Sequence, residues 1–377
     1  MPQPFTTLPR RTLLGAGLGA GAAALALPAL DCAHAAEPAR LEHVATFTSP
    51  RQVTGVAASP DGRVFVNFPR WEEDVAISVA EVGRNGALTP YPNAAWNSFR
   101  AASPATPEQR FVCVQSVTCD PQGNLWIVDA AAPNLGLEVK GGPKLARIDL
   151  RRNEVAQVYA FDRSVAPQGS YLNDIRFTPD GQRAVLTNSG QPGCLIVLDV
   201  RSGQARRVLD GHPSTQFQPG VVVTVGGRAL RRADGETAQF SADGIAIDAH
   251  GEYAYWQATT GKTMYRAPLA RLFDPRLTPA QQGDAVETVA QTFIADGYWM
   301  SGRGTLLLTS CSDNSVKRML PDKTFAVVAR DPRLLWPDSM AEGPDGVIYV
   351  TASHIPEMKA WQGAGVKQSQ LFRFKPA

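Results

Sequence analysis

The chain has 377 residues, 44% hydrophobic and 19% charged, with 33 Gly and 29 Pro. That composition suits a turn-rich globular protein and excludes a disordered or collagen-like one. A formal net charge of +2 gives nucleic acid or an anionic membrane no electrostatic claim as dominant partner. No stretch reads as a linker, and all-β folds of this length can form one unit.

Residues 1–35 read as an export signal. Arg10-Arg11 precedes the apolar, small-residue run Gly15 to Leu30, and Ala33-His34-Ala35 supplies an A-x-A cleavage site. The arginine pair and the mild Ala/Gly-rich run predict twin-arginine export, with the translocation machinery as a transient partner. The run is shorter than the roughly 20 apolar residues a membrane span needs, so no stable span is expected. The mature protein is expected in the periplasm or outside the cell.

From residue 41 onward the pattern is strand after strand. Leu41–Phe47 comes first and pairs with nothing nearby in sequence. Six segments then share one layout: a polar or small residue opens an alternating strand, and a turn Gly follows eight positions later. A second strand rich in β-branched and aromatic residues completes it. They begin at Thr54, Gln115, Asn173, Asp243, Asp296 and Asp338, with turn glycines Gly62, Gly123, Gly181, Gly251, Gly304 and Gly346. A polar residue followed by Gly between alternating strands marks a hairpin, because Gly takes positive φ without strain. Third strands are predicted at 76–82, 144–150, 194–200, 263–269, 315–320 and 370–375. Fourth strands are predicted at 154–161, 204–209, 287–293 and 324–329, with a poor one near 87–91. Only turns near 277–282 look helical. The sixth unit lacks a fourth strand, and Leu41–Phe47 is available to fill it. Four-stranded units in radial repetition, closed by a borrowed strand, predict an all-β, six-bladed β-propeller spanning 41–377.

In a propeller the first strand of each blade lines the central channel. The six opening residues, Thr54, Gln115, Asn173, Asp243, Asp296 and Asp338, are therefore expected as a ring around a ligand site. Oxygen donors so placed suit a hard cation such as Ca²⁺ or another divalent ion, with Asn173, Asp243 and Asp338 as candidate ligands. The same residue types also open strands by bonding nearby backbone amides. Tyr171, Tyr298 and Trp336 lie close to ring residues in sequence and are candidates for stacking a flat ligand.

Other chemistry is sparse. The histidines show no metal-ligand spacing, and only His354 is placed to reach a channel mouth. No G-x-S-x-G elbow appears. Gly226-Gly227 has no following helix with which to cradle phosphate. Cys113, Cys119, Cys194 and Cys311 show no disulfide framework and are expected mostly as buried thiols.

Several segments carry a resemblance. Val64-Phe65-Val66-Asn67-Phe68-Pro69-Arg70-Trp71 resembles the first-blade signature of the major royal jelly protein/yellow family. Tyr171-Leu172-Asn173-Asp174-Ile175, Ala242-Asp243-Gly244-Ile245-Ala246 and Trp336-Pro337-Asp338-Ser339 are similar to its later blades, as are Ser116-Val117 and Asn124 to Asp129. The resemblance implies a secreted six-bladed propeller. Family members include proteins linked to dopachrome conversion, salivary binders of biogenic amines and nutritive proteins. The family is distantly similar to the gluconolactonase (senescence marker) propellers, which hold a divalent cation with a Glu, an Asn and an Asp. Asn173 and Asp243 match that Asn and Asp, whereas Thr54 stands where the Glu would be and removes a ligand charge.

Three readings follow: a propeller binding a small molecule in its channel, a metal-assisted lactonase-like hydrolase or yellow-type isomerase with Asp243 as general base, and an interaction scaffold.

Overall fold

The six turn glycines all take positive φ, between 65° and 83°, so each hairpin closes where the repeat placed it. The computed structural model describes residues 37–376 apart from 73, 101 and 103–105; the export segment lies outside the described residues. No helix among the described residues is long and apolar enough to cross a membrane.

Six four-stranded antiparallel sheets form the blades of a six-bladed propeller. Blade 1 holds Val56–Ala58, Val64–Asn67, Val79–Val82 and Leu88–Pro90. Blade 2 holds Val114–Cys119, Leu125–Asp129, Lys144–Asp149 and Glu154–Ala160. Blade 3 holds Leu172–Phe177, Arg183–Asn188, Cys194–Asp199 and Ala205–Val208. Blade 4 holds Ala242–Ile247, Tyr253–Ala258, Thr263–Pro268 and Glu287–Gln291. Blade 5 holds Tyr298–Met300, Leu306–Ser310, Ser315–Met319 and Phe325–Arg330. Blade 6 holds Pro337–Glu342, Ile348–Ala352 and Gln368–Phe374, and Glu42–Thr48 is its outermost strand. That strand pairs antiparallel with Gln368–Phe374, Phe47 opposite Ser369, so the first strand of the fold closes the last blade. The helical turn near 277–282 is Pro279–Gly283, started by a capping box at Thr278.

The core lies between blades. Trp126 and Leu145 of blade 2, for example, share one buried cluster with Leu172, Ile175 and Leu186 of blade 3. Near the axis the blades are stitched by side chains that bond a neighbour's carbonyl. Thr54 Oγ1 donates to Gln115 O, Ser116 Oγ to Asn173 O, Thr187 Oγ1 to Asp243 O and Thr351 Oγ1 to Thr54 O, at 2.7–2.8 Å. Between blades 4, 5 and 6 the contact is backbone on backbone. A Cβ on Gly244 would sit 2.3 Å from Asp296 O, and one on Gly297 would sit 2.0 Å from Asp338 O.

Two excursions cover the end of the channel where the innermost strands begin. One is a small hairpin, Thr224–Val225 and Arg228–Ala229, turned by Gly226-Gly227 with both φ positive. The other is a pair of short 3₁₀ turns, Ile355–Glu357 and Lys359–Trp361. Arg228 donates to Trp361 O and Pro356 O and latches one onto the other.

Candidate functional site

The innermost strands of blades 2, 3, 4 and 6 each carry a register break at their first residues, between Val114 and Ser116, Leu172 and Ile175, Ala242 and Ile245, and Pro337 and Met340. Such a bulge re-aims the side chain at the strand start. Here it brings Gln115, Asn173, Asp243 and Asp338 to one cavity of about 410 Å³, with Asp296 of blade 5 beside them. All five are at most 7% exposed.

The sixth opening residue goes elsewhere. Thr54 is fully buried; its hydroxyl donates to Gln115 O and accepts from Asn67 Nδ2 at 2.8 Å. It fastens blade 1 to blade 2 and does not line the cavity, which corrects its place in the expected ring. Tyr298 is corrected as well. Its ring packs against Gly244 and its hydroxyl donates to Gln257 Oε1 at 2.7 Å, outside the cavity. Tyr171 and Trp336 do line it. His354 is buried, with Nε2 on Gln370 Oε1 at 2.7 Å and Nδ1 near Glu357.

The cavity has a carboxyl floor and aromatic walls. Trp71, Tyr171, Phe240, Trp336 and Trp361 form the walls. Trp71 Nε1 donates to Tyr171 OH at 2.5 Å, and Tyr171 OH donates to Gln115 Oε1 at 3.0 Å, which locks both rings. Trp336 holds left-handed backbone with φ 56°, a strained state for a bulky side chain. Its indole N–H donates to Asp296 Oδ2, and its carbonyl accepts from Ser353 N and Ser353 Oγ. The Ser170 hydroxyl lines the cavity, more than nine-tenths buried, without a hydrogen-bond partner among the described residues, and the Thr259 hydroxyl lies beside the Asp243 carboxyl.

The floor holds more buried acid than buried base. Burial, and then the charges of Asp296, Asp174 and Asp338, push the Asp243 carboxyl well above the usual carboxylate range. Burial, then Asp296 and Asp174, does the same to Asp338. Burial raises Asp296 to about 7, opposed by the Trp336 N–H and by a hydrogen bond with Asp243. Two carboxyl groups in hydrogen-bond contact share a proton. The Tyr171 hydroxyl is pushed well above its ordinary value by burial.

Asp174, next to ring residue Asn173, lies just beyond the floor and pairs with Arg176 at 3.3 Å. Arg176 reaches across the channel to Tyr298 O at 2.9 Å, with its guanidinium 5.4 Å from the Trp299 ring centre. Beyond it a second basin of about 420 Å³ opens at the far ends of the innermost strands.

Sequence reading missed Asp174, Trp71, Trp361, Phe240, Ser170, Thr259 and Arg232. Trp71 and Asp174 had a signal. Trp71 stands in the Phe68-Pro69-Arg70-Trp71 run, whose buried Arg70 bonds the carbonyls of Val75, Phe99, Phe111 and Val112 and anchors that loop. Asp174 is the one charged residue at a position otherwise filled by Gly55, Ser116, Gly244, Gly297 and Ser339.

Among the described residues, no group of three or more His, Cys, Asp or Glu is arranged to hold a metal ion. Asn173 donates its amide to Ser189 Oγ at 3.0 Å, and Asp243 and Asp296 turn to each other. Asn173, Asp243 and Asp338, the set expected to hold a cation, line the same cavity. Among the described residues Cys113, Cys119, Cys194 and Cys311 are free; Cys113, Cys194 and Cys311 are buried and Cys119 is half-buried.

Solved propellers share this architecture. A calcium-binding protein, regucalcin, from Agrobacterium tumefaciens str. C58 aligns with TM-score 0.54 and 13% identity over 90% of this chain and 96% of its own. A gluconolactonase from Xanthomonas campestris aligns with TM-score 0.54 and 12% identity over 90% of each chain. A streptogramin B lyase aligns with TM-score 0.50 and 12% identity over 90% of this chain and 98% of its own. At these identities the likeness is one of fold. No curated protein matches the sequence. The model of the major royal jelly protein family matches residues 112–362, more than half of the chain and most of the cavity wall, and the chain belongs to that family.

Proposed function

We propose that this protein is an exported propeller that binds a small aromatic amine in the cavity at the start of its innermost strands. One observation carries the reading: three buried aspartates form the floor beneath indole and phenol walls, and no lysine or arginine among the described residues pairs with them. An ammonium group supplies the missing charge, and a flat ring fills the aromatic slot. The unpartnered hydroxyl of Ser170 offers a further bond to a ring substituent. Export rests on Arg10-Arg11 and Ala33-His34-Ala35.

A cation on the floor favours ionised carboxyls, so binding should expel protons. Calorimetry with dopamine and with phenethylamine, in two buffers of different ionisation enthalpy at pH 7, should show proton release. Asp243→Asn should weaken both ligands by about tenfold or more. Equal affinity in the variant, or no proton release, would sink the reading.

The contact between Asp243 and Asp296 favours a second reading. A pair that shares one proton can both donate and accept, with Asp243 as base and Asp296, steadied by Trp336, as its partner. Turnover of a bound cyclic carbonyl compound, lost in both Asp243→Asn and Asp296→Asn, would support an isomerase. The calcium-dependent lactonase reading is weaker, because Thr54 points away from the cavity and its hydroxyl is already bonded. A melting shift on adding Ca²⁺ that disappears in Asp338→Asn would restore it.

A further inference from the structure

The floor is acidic, but the mouth is not. Arg232 is the one cationic residue lining this cavity among the described residues. It sits on the return arm of the covering hairpin, exposed, with its guanidinium 5.6 Å from the ring centre of Trp361, another wall residue. Its backbone is held from two sides. Arg232 N donates to Glu236 O at 2.8 Å, and Gln362 Nε2 donates to Arg232 O at 2.7 Å. Arg228, on the same hairpin, is tied to the carbonyls of Trp361 and Pro356. The guanidinium itself makes no ion pair among the described residues, although fourteen other arginine or lysine pairs and one histidine pair do form.

A fixed cation at the entrance to an amine site needs a reason. By itself it lowers the local concentration of cations and slows their entry. The handicap is reversed if the ligand carries a negative group at its outer end, because guanidinium pairs well with carboxylate. Stacked on Trp361, the Arg232 head is already oriented and loses little freedom when it pairs.

We propose that Arg232 is a specificity-determining residue that selects dipolar ligands: aromatic amines bearing a carboxylate or another anion at the end opposite the ammonium. The inference rests on the amine reading above and narrows it to a substrate class. The ammonium meets the aspartate floor, the ring lies between Trp71, Tyr171 and Trp336, and the anion meets Arg232.

The test compares phenethylamine with 4-(2-aminoethyl)benzoate by titration calorimetry on the purified protein. The wild type should bind the benzoate about fivefold tighter, the range of a partly exposed ion pair. Arg232→Gln should erase that preference while leaving phenethylamine unchanged or slightly tighter. Arg232→Lys should keep part of it, and raising the salt should shrink it in the wild type. Binding of both amines with no preference, or equal weakening of both by Arg232→Gln, overturns the inference and leaves the amine reading intact. Binding of neither amine by the wild type overturns both. Arg232 is exposed and its side chain bonds no other residue's backbone, so folding should survive the substitution.

Discussion

At the scale of single residues, this protein keeps acids where a purely structural channel would be dry or neutral. Buried carboxyls that are neither paired with a cation nor hydrated hold protons instead. The sign of the resulting pH dependence is definite. Asp243, Asp296 and Asp338 have folded values above their unfolded ones, so the folded state binds the extra protons. Stability contributed by this cluster is therefore fully present below the ordinary carboxylate value of about 4 and is lost as pH rises through the raised folded values, about 7 for Asp296. The melting temperature should drop between pH 5 and pH 8. Asp243→Asn should flatten the drop and leave the protein more stable than the wild type at pH 8. Thermal melts of both proteins at the two pH values check this; parallel curves would count against the carboxyl floor. Thr54 shows the opposite use of a polar residue. Its hydroxyl is spent on Gln115 O, so it contributes to closure of the ring and not to the site.

At the scale of elements, the innermost strands do two jobs with adjacent residues. The first residue of each opening pair faces the cavity in five blades, and the second, where it is Gly55, Gly244 or Gly297, permits the next blade to approach. Gly297 shows how tight that approach is. Gly297→Ala would place a methyl 2.0 Å from Asp338 O and 3.1 Å from Asp338 C, and backbone atoms there have no room to yield. The expected cost is roughly 1–3 kcal/mol. Because Asp338 is part of the floor, amine affinity should fall along with stability. Chemical denaturation read beside calorimetry tests both; a stable variant with normal binding would show that blades 5 and 6 are less closely packed than described. The covering hairpin is a different kind of element. It adds Phe240 and Arg232 to the wall and rim, is latched onto residues 356–362, and packs Val223, Val225 and Leu230 into a buried cluster with Cys113, Ile294, Cys311 and Trp336.

At the scale of the whole molecule, closure is the decisive feature. Glu42–Thr48 gives blade 6 its fourth strand and covers an edge that would otherwise template aggregation. Phe47 is 1% exposed and packs edge-on against Phe68 of the first-blade loop, so the strand joins the two ends of the ring. Removing residues 37–48 should abolish cooperative unfolding and yield aggregates on size exclusion. A soluble, cooperatively melting truncation would mean that the ring holds without this strand. The channel is also divided along its length. Arg176, paired with Asp174 and bonded to Tyr298 O, separates the carboxyl cavity from the basin at the opposite mouth.

The amino-acid sequence determined the blade count, the strand order and the closing strand, because these follow from local patterns. Alternation, a turn Gly at fixed offset and one unpartnered strand act over a few residues each. The repeat also located five of the cavity's polar residues, since the same strand position recurs at the axis. The direction of each side chain was decided only in three dimensions. Thr54 and Tyr298 lie in the expected segments, yet hydrogen bonds to Gln115 O and Gln257 Oε1 turn them out of the cavity. Trp361 and Arg232 come from segments outside the repeated strands, and only the folded 3₁₀ turns and covering hairpin bring them over the ring; Phe240 lies three residues before Asp243, where the repeat itself assigns no wall residue. The upward shift of the Asp243, Asp296 and Asp338 carboxyls likewise depends on burial and on their closeness to one another, which are set only when six blades close around a common axis.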